Sequence, residues 1–175
     1  MTLEKDKTEL SDAGGAKAGK YLTFKLAGEE YGIEILKVKE IIGMMNITPV
    51  PRLPEYVKGV INLRGKVIPV IDLRLKFGIE PMEYNDRTCI IVVEVMQGGT
   101  KTPIGLVVDA VSEVLNVRAE NIEPPPLFGA RLKTSYILGM AKIDNNVKIL
   151  LDIDLILTAE AVEMLREETR EAQEG

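Results

Sequence analysis

Apolar positions in this chain come in short runs, and nearly every run stops at a glycine, proline, asparagine or aspartate. The runs "YLTFKLAG", "EEYGIEI", "YVKGVINL", "KVIPVID", "TCIIVVEVM", "TPIGLVV", "SEVLNV", "YILGMAKI" and "VKILLD" are rich in β-branched and aromatic residues, which suit a pleated, half-buried surface. The turn-forming residues between them leave no room for long helices. This pattern predicts an all-β core of short strands, closed into barrels or a sandwich, with only short helices. The two flanks depart from it. Residues 1–19 are charged and small with no apolar periodicity, so burial cannot offset the entropy of ordering them, and they predict a disordered tail. The segment "TAEAVEMLREETREAQEG" opens on Thr158 as a helix cap, places apolar residues at Ala161, Val162 and Leu165, and then turns almost wholly charged. It predicts a C-terminal helix that frays outward over 162–175, leaving 20–161 as the folded domain.

The apolar pattern also repeats. Displaced by 80 positions, "GVINLRGKVIPVIDLRLKF" (59–77) lies on "GMAKIDNNVKILLDIDLIL" (139–157) without a gap, matching Gly59 with Gly139, Val67 with Val147 and Asp72 with Asp152. Displaced by 73, "GIEILKVKEII" (32–42) lies on "GLVVDAVSEVL" (105–115), matching Gly32 with Gly105, Val38 with Val111 and Glu40 with Glu113. The difference between the shifts equals the excess length of 116–138 over 43–58, so one insertion in the second half reconciles both alignments. A duplication follows, with each half supplying about five strands, enough for a small barrel filled by side chains rather than a ligand. In both halves an aspartate, Asp72 or Asp152, is placed to cap a short helix. Gly65 and its counterpart Asn145 tolerate the positive φ of a tight hairpin.

Composition then narrows the chemistry. A chain of 175 residues forms one domain or two closely joined ones. With 22 Lys and Arg against 27 Asp and Glu, the net charge of −5 disfavours general attraction to nucleic acid or anionic lipid. There is no histidine, which removes the usual general base and the commonest metal ligand. No phosphate-binding glycine loop, nucleophile elbow or metal-ligand cluster is present in the sequence. The single cysteine, Cys89, sits in an apolar run and predicts a small buried hydrophobe in a reducing cytosol. Of the carboxylate pairs, Glu29 with Glu30 reads as a hairpin turn and Asp152 with Asp154 as a helix start. No apolar run approaches the roughly 18 residues of a membrane span, and the N-terminus lacks the apolar centre of a signal peptide. The expectation is a cytoplasmic protein without catalytic residues, metal or cofactor, acting through its surfaces.

The words "EEYGIEILKVKEI", "VKGVINLRGKVIPVIDLRLKFG", "YNDRTCIIVV", "GLVVDAVSEVL" and "AENIEPPP" carry a more specific message, and from Tyr21 to about Ala161 the chain resembles the CheW family of bacterial chemotaxis coupling proteins. The resemblance implies two pseudo-symmetric five-stranded SH3-like β-barrels, intertwined, with a groove between them. It also implies a non-catalytic adaptor linking the cytoplasmic hairpin tip of chemoreceptors to the regulatory domain of the histidine kinase CheA. Such an adaptor is a monomer that joins rings of alternating kinase and adaptor barrels. A coupling protein of a non-chemotactic array, or an SH3-like barrel that binds nucleic acid or ribosomes, remains as an alternative; the second should carry a basic face.

For the receptor, the resemblance singles out Ile35, Val38, Val108 and Val111 along the groove, Arg64 as the coupling cation and Glu40 as its acidic partner. From the residues alone the valines read equally as core. Arg64 could be a solvated hairpin charge, but the tip in the second half is "DNN", so the fold itself requires no cation there. For the kinase, it singles out Thr48 and Val67 on one barrel, and Glu123, Leu127 and Phe128 in the stretch that holds the insertion. Three prolines stiffen that stretch, and Phe128 is either an exposed anchor or a loop aromatic folded onto the core.

Overall fold

A computed structural model describes residues 18–97, 99–125 and 136–157. Strands β1 (Gly19–Leu26) and β2 (Glu29–Glu34) form a hairpin, and a 3-10 turn at Ile35–Lys37 leads into β3 (Val38–Gly43). A second hairpin, β4 (Val57–Leu63) and β5 (Lys66–Asp72), runs into the short helix α1 (Leu73–Lys76). The plan then repeats: β6 (Cys89–Gln97) and β7 (Thr100–Val108), β8 (Ala110–Val117), the two-residue β9 (Ile122–Glu123), β10 (Ile137–Ile143) and β11 (Asn146–Leu151), and helix α2 (Ile153–Ile156). The expected tail and C-terminal helix lie outside the described residues.

The strands make two sheets, ordered β8-β1-β2-β11-β10-β9 and β3-β6-β7-β5-β4. Exchanging each strand for its repeat counterpart converts one order into the other, with β9 answering to the isolated Thr48–Val60 bridge. The duplication is therefore built into the fold, and each sheet contains a hairpin from the other half. The interleaving rests on two parallel contacts, Val70 beside Gly105 and Leu150 beside Gly32. Both glycines sit in tight packing: a Cβ at Gly105 would lie 2.8 Å from Ile90 Cγ2 on the antiparallel neighbour and 3.5 Å from Val70 Cγ2, and one at Gly32 would lie 3.1 Å from Leu150 Cδ2. Two details differ from the sequence reading. The first hairpin turns at Ala27 and Gly28, which take the positive φ, while Glu29 and Glu30 already belong to β2. The second half has six described strands rather than five, because the counterpart of the Thr48 bridge is extended into β9.

Three clusters of buried side chains follow from this arrangement. Ile61, Ile68, Val70, Ile90, Val92 and Val107 fill one sheet, and Tyr21, Val117, Ala141 and Leu150 fill the other. The largest cluster, including Phe24, Ile33, Ile71, Ile91, Leu106 and Leu151, takes side chains from both. Asp72 caps α1 by accepting from the Arg74 and Leu75 amides, and Asp152 caps α2 by accepting from Leu155, as the sequence predicts.

Two ion pairs hold the crossings between sheets. Arg74 donates from Nε and Nη2 to the Asp109 carboxylate at 2.8 and 2.9 Å, and from Nη1 to the Glu80 carbonyl at 2.7 Å. Asp109, between β7 and β8, also accepts from the Ala27 amide at 2.8 Å. At the opposite crossing, between β2 and β3, Lys37 donates to Asp154 at 2.6 Å. Arg74 and Asp154 are repeat counterparts, so the same clamp between short helix and crossover is made twice with its charges reversed.

The two clamps differ in burial: the Arg74 and Asp109 side chains are 14% and 17% exposed, Lys37 and Asp154 30% and 39%. Arg74→Ala strands a largely buried carboxylate and is expected to cost about 3 kcal/mol in urea unfolding. Lys37→Ala is expected to cost less than about 1 kcal/mol. Equal costs would show that the bidentate pair is not what pins the crossover.

Candidate functional site

The β4–β5 hairpin closes in two residues, Arg64 at φ 50° and Gly65 at φ 88°, and the Asn62 side chain accepts from the Gly65 amide at 2.9 Å. This turn needs positive φ at both positions, which is why Asn, Asp and Gly dominate it. The equivalent tip obeys that preference with Asp144 at 50° and Asn145 at 66°. Arginine does not: a long unbranched side chain in the left-handed region costs on the order of 1 kcal/mol or more. Its guanidinium Nη2 donates to Glu40 Oε2. Glu40 lies on β3, at one border of the sheet, while Arg64 extends from β4, at the other, so the pair spans the seam of one barrel. The corresponding residues of the other barrel, Glu113 and Asp144, are both acids.

The remaining receptor candidates separate into two groups. Ile35, Val38 and Val111 are half-buried and pack on the large shared core, with Ile35 in the 3-10 turn and the two valines at matching positions beside the bulges of β3 and β8. Val108 is only 1% exposed. It belongs to the core, opposite Cys89 in the β6–β7 ladder, and supports the groove without offering it a surface. Cys89 in turn is half-buried rather than buried. Its partner across the β3–β6 ladder is Gly43, which has no side chain to cover it. The thiol lines an open cavity of about 620 Å³ with Lys25, Glu30, Arg87 and Val111. Burial pushes its pKa up, and a hydrogen bond with the Val111 backbone partly opposes this.

Of the kinase candidates, Thr48 is exposed and exchanges both backbone hydrogen bonds with Val60, at 2.8 and 2.9 Å, on the border of one sheet. Val67 is 59% exposed on the neighbouring strand. Glu123 lies on the matching border of the other sheet, paired with Met140 in the ladder and with Lys142 through its side chain. Leu127 and Phe128 lie outside the described residues. Leu36, which sequence reading did not single out, is 94% exposed on the 3-10 turn Ile35–Lys37. Among the described residues no group of three or more Cys, Asp or Glu is placed to hold a metal, and no helix is long and apolar enough to cross a membrane.

A family model described as CheW-like domain matches residues 20–161. The chain is 40% identical over 153 residues to a chemotaxis protein CheW of Klebsiella aerogenes, covering 87% of this chain and 90% of the relative. It is 37% identical over 138 residues to a chemotaxis protein CheW of Helicobacter pylori, covering 78% and 80%. Among solved structures it resembles the scaffolding protein TtCheW from Thermoanaerobacter tengcongensis, with a TM-score of 0.72, 39% identity and coverage of 82% and 95%.

The tip geometry separates the uses of Arg64. Arg64→Asn removes an exposed ion pair contributing at most about 1 kcal/mol and relieves a turn strain of similar size. The melting temperature is expected to stay level or rise. A fall of several degrees would show that the pair across the seam is structural.

Proposed function

The chain belongs to the CheW-like family of chemotaxis scaffold proteins, and from that premise we propose that it couples chemoreceptors to the histidine kinase CheA by binding both, without chemistry of its own, in the cytoplasm. The observation that carries this reading is the one-sided pair of Arg64 and Glu40 at a hairpin tip where the duplicated half has only acids. A charge held in a costly backbone conformation, 68% exposed, is poorly explained by folding and well explained by a partner. Arginine suits that role because its planar fork grips a carboxylate or backbone carbonyls in fixed geometry and never loses its charge. The half-buried Ile35, Val38 and Val111 supply the adjoining apolar floor for a helical hairpin.

The kinase is engaged elsewhere. Thr48 beside the β4 border, Val67 on the next strand β5, and Glu123 on the pseudo-equivalent border of the other sheet supply two separate contact surfaces, to which Leu127 and Phe128 are added from the sequence. Two unlike surfaces on one adaptor permit head-to-tail contacts that close into rings of kinase and adaptor barrels. Arg64 sits at the tip of the same β4–β5 hairpin that carries Val67, so the two contacts adjoin on that barrel.

Paired titrations test this division. Arg64→Ala is expected to bind the kinase regulatory domain like wild type while losing about 2 kcal/mol or more of affinity for a receptor-tip fragment, and Arg64→Lys recovers only part of that loss. Equal receptor affinity for wild type and Arg64→Ala would make the charge a solvated one and remove the basis of the reading. Calorimetry with ATP is expected to give no binding heat; stoichiometric binding would overturn the non-catalytic role.

A further inference from the structure

Beside the Arg64–Glu40 pair lies a cavity of about 300 Å³. Its apolar lining is Leu63, Ile68, Val92 and Pro103, of which Ile68 and Val92 are buried side chains of the barrel core. Its charged rim is Lys39, Arg64 and Lys66 against the single carboxylate of Glu40. Lys39 is paired with Glu94 at 3.7 Å and Arg64 with Glu40, while Lys66 makes no ion pair among the described residues. An uncompensated cation beside an apolar opening runs against the net charge of −5 of the chain.

The duplicated half provides an internal comparison. At the position of Ile68 the other barrel has Lys148, and at that of Pro103 it has Glu30; these two form a 2.5 Å ion pair with Lys148 8% exposed. The position of Val92, beside Gly105, corresponds to Thr23 beside Gly32, and the Thr23 hydroxyl bonds to the Glu113 carbonyl at 2.9 Å. Around it, Lys39, Glu40, Arg64 and Lys66 are answered by Ser112, Glu113, Asp144 and Asn146. At this position one barrel is filled by its own ion pair, with Glu30 also lining the 620 Å³ cavity beside Cys89, while the other is apolar inside with Arg64 and Lys66 at its rim. The same backbone supports both, so folding does not require the apolar version.

We propose that this cavity receives a segment of the receptor tip that presents an acidic side chain next to an apolar one. The carboxylate is gripped by Arg64 and Lys66, and the apolar side chain lies over Ile68 and Pro103. This assignment rests on the reading of Arg64 as the receptor-coupling residue and adds the chemistry of the contact and its depth. Lys66 beside Arg64 favours an acidic partner, and the Lys148–Glu30 pair in place of Ile68 and Pro103 takes the apolar seat away from the other barrel, which gives the receptor one orientation on a nearly symmetric molecule.

The test grafts the plug of one barrel into the other. Ile68→Lys combined with Pro103→Glu is expected to weaken binding of a receptor-tip fragment at least tenfold while binding of the kinase regulatory domain stays within twofold of wild type. Lys66→Glu, a surface change that does not depend on refilling the cavity, is expected to weaken receptor binding and flatten its salt dependence. Unchanged receptor affinity in both variants overturns the cavity assignment and leaves the coupling role of Arg64 standing. Failure of wild type to bind the receptor fragment overturns the coupling role itself. Decanoate serves as the small-molecule probe: if it shifts the Ile68 and Val92 methyl resonances and the receptor fragment does not, the occupant is a small amphiphilic anion and the proposal is wrong.

Discussion

The two parallel contacts at Gly32 and Gly105 are what the rest of this molecule depends on. Each brings a hairpin of one half into the sheet of the other, at positions where glycine leaves the strands closely packed. Once the halves are interleaved in this way, neither barrel can form without strands from its partner, and the largest hydrophobic cluster is necessarily shared. The crossings between sheets become the mechanically critical points. Two charge-reversed clamps, Arg74 with Asp109 and Lys37 with Asp154, sit on them. Near those crossings, Ile35, Val38 and Val111 pack half-buried on the shared core.

Against this near-symmetry, function is concentrated where the halves differ. The hairpin tips have the same length and the same backbone turn, yet one carries an arginine at a φ of 50° where the other carries an aspartate. The barrel interiors have the same register, yet one holds a lysine–glutamate pair where the other holds isoleucine and proline. A duplication supplies its own control in such cases: a feature present in both halves is explained by the fold, and a feature present in one needs a further cause. By that criterion the Asp72 and Asp152 caps, and the acid at Glu40 that Glu113 repeats, are architecture, and Arg64 and the cavity beside it are not.

Much of this was legible in the sequence because the relevant signals are local. Alternating apolar runs mark strands, aspartates before short apolar segments mark helix starts, and a gap-free internal repeat exposes the duplication. The strand order was not legible, since an apolar run does not say which neighbour it pairs with. The two glycines that decide it look like any other strand glycine until Val70 and Leu150 are placed beside them. The clamps were hidden for the same reason, their partners being 35 and 117 positions apart. Val108 and Cys89 were misplaced relative to the surface because their exposure depends on cross-strand neighbours, Val108 being covered and Cys89 facing a glycine. The positive φ of Arg64 was invisible too, because arginine carries no preference that would announce it.

The central claim is that only one of the two nearly symmetric hairpin tips, the one bearing Arg64, takes part in the receptor site. Methyl and amide chemical-shift mapping of the intact chain with a receptor-tip fragment measures this directly. Perturbations are expected at 35–42, at 62–68 and at Val111, with the counterpart tip and barrel at 142–148 unaffected. Equal perturbation of both tips, or perturbation confined to 142–148, would contradict the account.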